Sequence, residues 1–328
     1  MSTVKWGILG CGKIAAKFAS DLRRVDGAIR HAVASLQPGR ATAFATEHGF
    51  AHGFSSYQEL CASDVDVIYV ATPHGFHAEH AALCLRHGKS VLCEKAFTLN
   101  ERDTQMLADL AREKDVFLME AFWTRFIPQY RKLQELLASD AIGEIRTITA
   151  DFGFLSPEPK PQRLWDPVLG GGSLLDVGIY PVFLAITLLG EPDQVAAVMK
   201  PYDTGVDEQM AMSLRFPSGA VASLYSSFAA DTPVEAVITG DKGIIRLTNR
   251  FHNPSSRIFL EVPGAQPQEI QVEREEGFGY QFEARHVQDC LNKGLRESPV
   301  WPLGESLKLM RTLDRLRRSC GIRYPGEV

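Results

Sequence analysis

The sequence predicts an α/β protein: a doubly wound parallel sheet, followed by an α+β domain with a large, open, mainly antiparallel sheet. Two observations support this prediction. In the first third of the 328 residues, short and almost continuously apolar runs alternate with helical stretches, as expected for a parallel sheet covered on both faces. After about residue 122 the apolar residues alternate with polar ones between turn signals, which is typical of antiparallel strands.

The first third of the chain contains five predicted strands and four predicted helices. The strands are Val4–Leu9, Ile29–Ser35, Val65–Ala71, Ser90–Cys93 and Val116–Met119. The helices between them are Ile14–Arg24, Ala41–His48, Ala78–His87 and Glu101–Lys114. Because parallel strands are joined by right-handed crossovers, this order predicts a Rossmann-type, doubly wound sheet.

The rest of the chain is predicted to begin with one apolar helix, from Ser173 to Leu188. Six strands follow, at Val195–Tyr202, Met210–Phe216, Ala220–Phe228, Val234–Thr239, Ile244–Thr248 and Ile258–Val262. Two helices, near Phe282–Leu291 and Glu305–Ser319, end the chain. We therefore predict two domains, at 1–122 and 123–328, and the last helix of the second can pack back on the first.

Charge and composition exclude several classes of protein. The net charge is -5 and there is no dense run of Lys and Arg, which argues against a general nucleic-acid binder. We find no apolar stretch approaching the roughly 20 residues of a membrane helix, so no membrane association is expected. The N-terminal apolar run is too short for a signal sequence, and the six cysteines form no C-x-x-C pair. Reduced thiols and a cytoplasmic location are therefore expected.

The most informative local feature is the glycine motif that follows the first predicted strand. Val4–Leu9 leads directly into the residues GCGKIA at 10–15, a G-x-G-x-x-A pattern that opens a helix. The first glycine permits a tight turn, the second lets a pyrophosphate approach the backbone, and the alanine allows close helix–strand packing. The expected cofactor contacts here are Gly10, Gly12, Lys13, Ile14 and Ala15. A tight turn without a ligand is the alternative.

The end of the second predicted strand favours NADP over NAD. NAD-binding folds usually carry Asp or Glu at this point to bind the ribose 2′-hydroxyl, but residues 34–40 (ASLQPGR) contain no acid. Ser35 could donate to a 2′-phosphate and Arg40 could pair with it. The alternative is that Arg40 is a solvated residue at a helix start and that both NADP and NAD are used.

Three further segments resemble one protein family. Residues 71–77 (ATPHGFH) resemble its T-P-N-x-x-H loop, Glu94-Lys95 resembles its E-K-P motif, and residues 170–180 (GGGSLLDVGIY) resemble its G-G-G-x-L-x-D-x-G-x-H segment. In this order and spacing they are similar to the glucose–fructose oxidoreductase and inositol dehydrogenase family (Gfo/Idh/MocA). The resemblance covers almost the whole chain and implies an NAD(P)-dependent oxidoreductase, with a dinucleotide-binding domain at 1–122 and a substrate-binding and oligomerisation domain at 123–328.

Two features resemble one branch of that family, the dimeric dihydrodiol dehydrogenases that also act as NADP-dependent D-xylose dehydrogenases. Tyr180 stands where most members have His, and residues 119–128 (MEAFWTRFIP) are similar to a segment of that branch. Two positions depart from the family pattern: Ala96 replaces the usual proline after Lys95, which leaves the orientation of Lys95 open, and His74 replaces the common asparagine.

The resemblance implies that a set of side chains after the third and fourth predicted strands lines the cofactor pocket: Thr72, Pro73, His74, His77, Glu94 and Lys95. His74, His77 and His80 superficially suggest a metal site. Their spacing does not converge on one helix face beyond the first pair, and no cysteine or paired carboxylate completes a set, so no metal is expected. His74 and His80 are better interpreted as polar residues at a helix start.

Oxidation of a carbinol needs a hydride acceptor and a base, and Tyr180 is our candidate for the base. Lys95 follows a strand at the carboxyl edge of the sheet, where such folds bind ligands, and is the candidate cation that favours the phenolate. Asp176 is four residues before Tyr180 and could orient Lys95 or bind a substrate hydroxyl. The alternatives are a helix cap for Asp176, a core aromatic for Tyr180 and a surface lysine for Lys95.

The expected substrate-binding residues are mostly aromatic: Trp123, Arg125, Phe126, Trp165, Asp176 and Phe278. An aromatic wall suits a cyclic diol or a pyranose face, although interdomain packing would explain the same residues. The leading hypothesis is a dehydrogenase for a secondary or anomeric hydroxyl. The alternatives are a sugar reductase or epimerase with bound nicotinamide, or a non-catalytic nucleotide sensor. An apolar face of the second sheet predicts a homodimer or homotetramer, as is common in the family.

Overall fold

The computed structural model describes residues 3–327. The chain forms two compact units. The first contains the described parts of Met1–Phe126 and Glu275–Leu307, and the second those of Ile127–Arg274 and Lys308–Val328. Within residues 3–327, the strands of the six-stranded sheet all belong to the first unit and those of the eight-stranded sheet all belong to the second.

The first unit is built on a six-stranded parallel sheet, which confirms the predicted doubly wound fold. Its strands are β1 (Val4–Leu9), β2 (Ala28–Ala34), β3 (His52–Phe54), β4 (Val67–Val70), β5 (Ser90–Glu94) and β6 (Leu118–Ala121). Their order in the sheet is β3-β2-β1-β4-β5-β6, and every neighbouring pair is parallel. The strands β1, β4, β5 and β6 are almost entirely buried, as expected when helices cover both faces of the sheet, whereas the edge strand β3 is exposed or half-buried.

Five helices of the first unit alternate with these strands: α1 (Lys13–Leu22), α2 (Arg40–His48), α3 (Tyr57–Ala62), α4 (His77–Arg86) and α5 (Glu101–Lys114). The sequence prediction omitted β3 and α3, which are only three and six residues long. The sequence does carry a helix-start signal for α3, since Ser56 is followed three residues later by Glu59. In the structure the Ser56 hydroxyl accepts a hydrogen bond from the Glu59 backbone N–H at 3.4 Å.

The second unit is built on an eight-stranded sheet. Its strands are β7 (Ile145–Gly153), β8 (Gln194–Pro201), β9 (Asp207–Arg215), β10 (Val221–Ser227), β11 (Ala236–Gly240), β12 (Ile244–Thr248), β13 (Arg257–Glu261) and β14 (Gln268–Ile270). The order is β14-β13-β12-β11-β7-β10-β9-β8. The helices of this part of the chain are α6 (Pro128–Ala138), α7 (Gln162–Trp165) and α8 (Ile179–Leu189).

The expected antiparallel sheet is confirmed, but it is not a simple series of hairpins. β7, which the sequence analysis missed along with α6, α7 and β14, inserts between β10 and β11. It pairs parallel with β10 and antiparallel with β11. The alternation was present in the sequence: Ile148, Ala150 and Phe152 are buried, whereas Thr147 and Thr149 are exposed.

The predicted single helix from Ser173 to Leu188 is two elements. A π-helical turn, Leu174–Gly178, precedes α8. The expectation that no apolar stretch is long enough for a membrane helix was also wrong, because Pro167–Leu189 meets that criterion by length and composition. Of its most apolar window, 78% is buried inside the protein, as is typical of a core helix.

The last two helices are α9 (Tyr280–Asn292) and α10 (Leu303–Ser319), close to the predicted ranges. A carboxylate from another helix caps α9: Asp21 accepts hydrogen bonds from the backbone N–H groups of Phe278, Gly279 and Tyr280, at 2.9–3.0 Å. All six cysteines are free thiols, and only Cys320 is not buried.

Candidate functional site

A tight turn after β1 leaves open space beside its second glycine. Gly10 has φ +100°, and a Cβ there would lie 2.8 Å from the Ala71 carbonyl oxygen, so only glycine fits. A Cβ on Gly12 would meet no described protein atom within 4 Å. The space that a side chain would fill at Gly12 is therefore available to a ligand.

Gly12 is also the N-cap of α1, which begins at the next residue. Lys13 is exposed, Ile14 is half-buried, and Ala15 is fully buried, where it permits close packing of α1 on the sheet. The first N–H groups of a helix have no partner within the helix and attract anions. An open glycine turn at such a helix start fits the pyrophosphate of a dinucleotide.

Two residues after β2 lie at the same edge of the sheet as the glycine turn. The exposed Arg40 is the first residue of α2, and its Nε donates to the Cys11 carbonyl oxygen at 3.0 Å. The buried Ser35 hydroxyl accepts from the Gln37 backbone N–H at 3.3 Å. The arrangement therefore places a guanidinium against the backbone of the turn, where it could reach a phosphate.

The loop after β4 is held together by a buried histidine. Thr72 and Pro73 lead into a short 3-10 helix that begins at His74. The His77 ring is fully buried, with Nδ1 2.8 Å from the Ala96 carbonyl oxygen and Nε2 2.7 Å from that of Thr72. Burial lowers the pKa of His77 to about 4. A neutral imidazole has one N–H and donates to only one of these two carbonyl oxygens at a time. The ring nevertheless lies between this loop and the segment after β5, inside the protein.

Lys95 follows β5 directly and is half-buried. Its backbone N–H donates to the carboxylate of Glu94 at 3.1 Å, and that buried carboxylate also accepts a hydrogen bond from the Tyr69 hydroxyl. Burial and the charge of Glu94 raise the pKa of Tyr69 well above its usual value, so Tyr69 remains a donor. The Lys95–Ala96 peptide bond is cis.

Glu120 in β6 is a second buried carboxylate behind this segment, and the sequence analysis assigned it no role. It accepts from the Phe97 backbone N–H at 3.2 Å and from the Trp301 indole N–H at 3.1 Å. Burial raises the pKa of Glu120 to about 7. The signal that could have identified it is an acidic residue inside an otherwise apolar strand, since such a residue needs partners.

The carboxyl ends of three neighbouring strands thus bring most of the predicted cofactor residues to one edge of the first sheet. Gly10 follows β1, Thr72 lies just after β4, and Lys95 follows β5. Open α/β sheets bind ligands at this edge. No group of three or more His, Cys, Asp or Glu side chains able to hold a metal occurs within residues 3–327.

In the second unit, Tyr180 lies in a group of rings. It is buried in α8, with its ring centroid 5.7 Å from that of Phe152 in β7 and 4.6 Å from that of His252. His252 stacks on Phe152 at 4.4 Å. The sequence analysis did not identify Phe152 or His252, because they approach Tyr180 only through the fold.

Asp176 lies in the π-helical turn before α8, so it and Tyr180 are not on one continuous α-helix. Its side chain is half-buried and forms an ion pair with Arg163 at 3.2 Å. A carboxylate held in this way keeps oxygen lone pairs that could accept a hydrogen bond from a hydroxyl.

The predicted aromatic substrate residues are divided between the two units. In the first unit Trp123 stacks on Tyr280, with centroids 5.0 Å apart, and Phe126 is almost fully buried. Arg125 is half-buried, and Phe278 is 48% exposed. In the second unit Trp165 is buried against Tyr202, with centroids 4.1 Å apart. Phe126 therefore has little surface left to contact a substrate.

Comparison with known proteins agrees with this architecture. Residues 4–122 match the family described as "Oxidoreductase family, NAD-binding Rossmann fold", and residues 130–246 match the "GFO/IDH/MocA C-terminal domain". The chain is 38% identical over 334 residues to trans-1,2-dihydrobenzene-1,2-diol dehydrogenase of Xenopus tropicalis, covering 98% of this chain and 99% of that one. For the Bos taurus enzyme of the same name the identity is 34%, with 99% of both chains covered.

Solved structures of similar fold include a 3-ketoreductase from Actinomadura kijaniata, crystallised with NADP and TDP-benzene. It superposes with a TM-score of 0.87 at 27% identity, over 97% of this chain and 98% of that one. Aldose-aldose oxidoreductase from Caulobacter crescentus superposes with a TM-score of 0.88 at 24% identity, over 97% of both chains. The family resemblance of the sequence is thereby confirmed: the chain belongs to the Gfo/Idh/MocA family and is an NAD(P)-dependent oxidoreductase.

Proposed function

We propose that this enzyme is an NADP-dependent dehydrogenase that oxidises a secondary or anomeric hydroxyl of a cyclic trans-diol or a pyranose sugar. The observation that carries the cofactor part is the open turn at Gly12 with the Arg40 guanidinium bound to the carbonyl oxygen of Cys11. The full-length similarity to proteins named trans-1,2-dihydrobenzene-1,2-diol dehydrogenase supports the substrate part.

The preference for NADP rests on the charge beside the turn. Arg40 offers a planar fork of N–H donors that matches phosphate oxygens, and Ser35 supplies a hydroxyl nearby in sequence. An NAD-specific site would instead carry a carboxylate after β2 for the ribose diol, and residues 35–40 contain none. The remaining proposed cofactor contacts are Gly10, Lys13, Ile14, Ala15, Thr72, Pro73, His74, His77 and Glu94.

The bound nicotinamide would accept the hydride from the carbinol carbon. In this proposal the Tyr180 phenolate takes the proton of the reacting hydroxyl, and the neutral phenol so formed returns it in the reverse direction. Lys95 contributes positive charge that favours the deprotonated oxygen, because an ammonium stabilises a nearby anion. Asp176 binds a substrate hydroxyl, with Arg163 holding its carboxylate. Trp123, Arg125, Trp165 and Phe278 are proposed substrate contacts.

A second candidate is reduction of a keto sugar by the same residues. It is favoured by the 3-ketoreductase, which is 27% identical over almost the whole chain. Proton transfer would then run from Tyr180 to the carbonyl oxygen. Measuring both directions with one substrate pair distinguishes the two candidates.

We further propose a cytoplasmic homodimer or homotetramer assembled through the open face of the second sheet. Val198 is 74% exposed and Val221 is 44% exposed on β8 and β10, and apolar side chains on a sheet surface favour burial against a partner. The proposal also assigns dinucleotide binding to residues 1–122, and substrate binding and oligomerisation to residues 123–328.

The experiment that tests the proposed function is a steady-state screen of NADP+ and NAD+ reduction. The substrates are trans-1,2-dihydrobenzene-1,2-diol, D-xylose, further pentoses and hexoses, and inositols. We expect turnover with a cyclic diol or an aldose and a preference for NADP+. Absence of turnover with all of them, in both directions, would favour a nucleotide sensor or an epimerase with bound nicotinamide.

A further inference from the structure

The segment that carries Asp176 and Tyr180 begins at a buried carboxylate from another element. Asp207 is the first residue of β9 and is fully buried. Its Oδ2 accepts two hydrogen bonds at the start of the segment, from the Ser173 hydroxyl at 2.6 Å and from the Leu174 backbone N–H at 2.7 Å. Asp207 therefore caps the π-helical turn that leads into α8.

The backbone before this turn is shaped to admit the carboxylate. Gly172 has φ +113°, and a Cβ there would lie 2.4 Å from Asp207 Oδ1. No side chain fits at this position while Asp207 keeps its place. The glycine run before Ser173 is thus explained in part by the approach of Asp207 rather than by a ligand.

A second contact fixes the same segment on β10. The Ser226 hydroxyl is 2.9 Å from the Ser173 hydroxyl, so it extends the hydrogen-bonded group of Asp207. A Cβ on Gly178 would lie 2.9 Å from the Ser226 oxygen, so the backbone of Gly178 rests directly on this serine. Gly178 is two residues before Tyr180. The backbone on both sides of Asp176 is therefore positioned by β9 and β10.

The buried Asp207 carboxylate lowers the stability of the folded protein. Burial raises the pKa of Asp207 to about 6, and its Oδ1 accepts no hydrogen bond from residues 3–327. The nearby Arg317 pairs with Asp314 and Glu327, and the Tyr324 hydroxyl donates to the Gly171 carbonyl oxygen at 2.8 Å. At neutral pH the fold thus contains a buried, mostly ionised carboxylate, which lowers stability relative to a neutral side chain.

We infer that Asp207 is a positioning residue for catalysis: its ionised carboxylate fixes the start of the segment and so sets the placement of the Tyr180 phenol and the Asp176 carboxylate. The inference rests on the proposed function, because it assigns Asp207 a role that acts through Tyr180. A purely structural cap would stabilise the protein, whereas the Asp207 carboxylate lowers its stability and in return holds Tyr180 and Asp176 in position.

The test is the variant Asp207→Asn, assayed with NADP+ and whichever of trans-1,2-dihydrobenzene-1,2-diol or D-xylose the wild type oxidises. An amide of the same shape can still accept from Leu174 but removes the buried charge. We expect the melting temperature at neutral pH to be equal or higher, kcat to fall about tenfold, and the KM for NADP+ to stay within about twofold. The matched control is Asp151→Asn, because the Asp151 carboxylate likewise accepts two hydrogen bonds, in this case from the backbone N–H groups of Val234 and Glu235.

Wild-type kcat in Asp207→Asn would overturn the inference. So would a loss of kcat that comes with a lower melting temperature, because a structural cap predicts both losses together. If Asp207→Asn does not fold, the inference is wrong that the buried charge lowers the stability of the protein. Ser173→Ala then tests the hydrogen bond between Ser173 and Asp207 alone, and we expect a smaller loss of kcat in that variant. Tyr180→Phe separates the two proposals: full activity there contradicts the proposed role of Tyr180, whatever Asp207→Asn shows.

Discussion

The Arg40 guanidinium donates from Nε to the backbone carbonyl oxygen of Cys11 at 3.0 Å, which joins the start of α2 to the glycine turn after β1. The side chain is exposed and its charge therefore lies at the surface of the turn. A positive group held at this point can distinguish a 2′-phosphate from a 2′-hydroxyl.

We predict that Arg40→Ala raises the KM for NADP+ about tenfold and changes the KM for NAD+ little, because one charge-assisted phosphate contact is lost. The measurement is the ratio of kcat/KM for the two cofactors. Arg23→Ala is a suitable control, since Arg23 also donates to a backbone carbonyl, that of Glu47, on the same unit. An unchanged ratio in Arg40→Ala would remove the basis for preferring NADP.

Replacing Tyr180 by Phe is expected to lower kcat at least about a hundredfold while leaving the Kd for NADP+ almost unchanged, because only the acid–base hydroxyl is removed. The ring contacts with Phe152 and His252 are retained by the Phe side chain. Stopped-flow hydride transfer and fluorescence titration of the cofactor provide the two readouts. The control is Tyr225→Phe in β10, whose hydroxyl donates to Gln209 in the neighbouring strand β9. Comparable turnover in the two variants would contradict the assignment.

The two glycines of the turn should respond differently to alanine. Gly12 has φ -87° and open space around its Cβ position, so Gly12→Ala is expected to fold normally but to bind NADP+ at least about tenfold more weakly. Gly10→Ala requires a strained φ and contact with the Ala71 carbonyl oxygen, so it should lower the free energy of unfolding by about 1–3 kcal/mol. Denaturant unfolding and cofactor titration test both. Normal cofactor affinity in folded Gly12→Ala would show that the turn does not bind a pyrophosphate.

The sequence could predict features that depend on a short stretch of chain, such as the turn that contains these two glycines. The turn at Gly10 and Gly12, the residues after β2 and the position of Lys95 were accessible because each depends on a strand and the few residues that follow it. β7 could not be placed, because its pairing with β10 joins residues more than 70 positions apart. The contacts of Asp207 and His252 were inaccessible for the same reason: each reaches its partner only once the second sheet has formed.

Burial also hides chemical properties that residue type alone cannot show. A glutamate in a strand suggests a charge, yet Glu120 has a pKa raised to about 7 because it is removed from water. Trp301, whose indole N–H donates to Glu120, also packs against Phe122 at a tilt, with the ring centroids 5.7 Å apart. Trp301 is 181 residues from Glu120 along the chain, so no local pattern predicts this environment.

Glu120 yields a pH-dependent prediction for stability. Its folded-state pKa of about 7 lies above the ordinary value of 4.5, so folding favours the protonated form. The contribution of protonated Glu120 to the free energy of unfolding is fully present below pH 4.5 and is lost as the pH rises through about 7. The loss can reach about 3 kcal/mol, since one pKa unit corresponds to about 1.4 kcal/mol.

The measurement is urea unfolding of the wild type and Glu120→Gln across this pH range. The amide cannot ionise, so the variant should lack this part of the decline, and the difference between the two curves isolates Glu120 from Asp207 and Glu283, whose pKa values are raised by burial as well. Asp109→Asn, on the exposed face of α5, should follow the wild-type curve. Parallel curves for the wild type and Glu120→Gln would mean that this carboxylate stays ionised in the folded protein, stabilised by the N–H groups of Phe97 and Trp301.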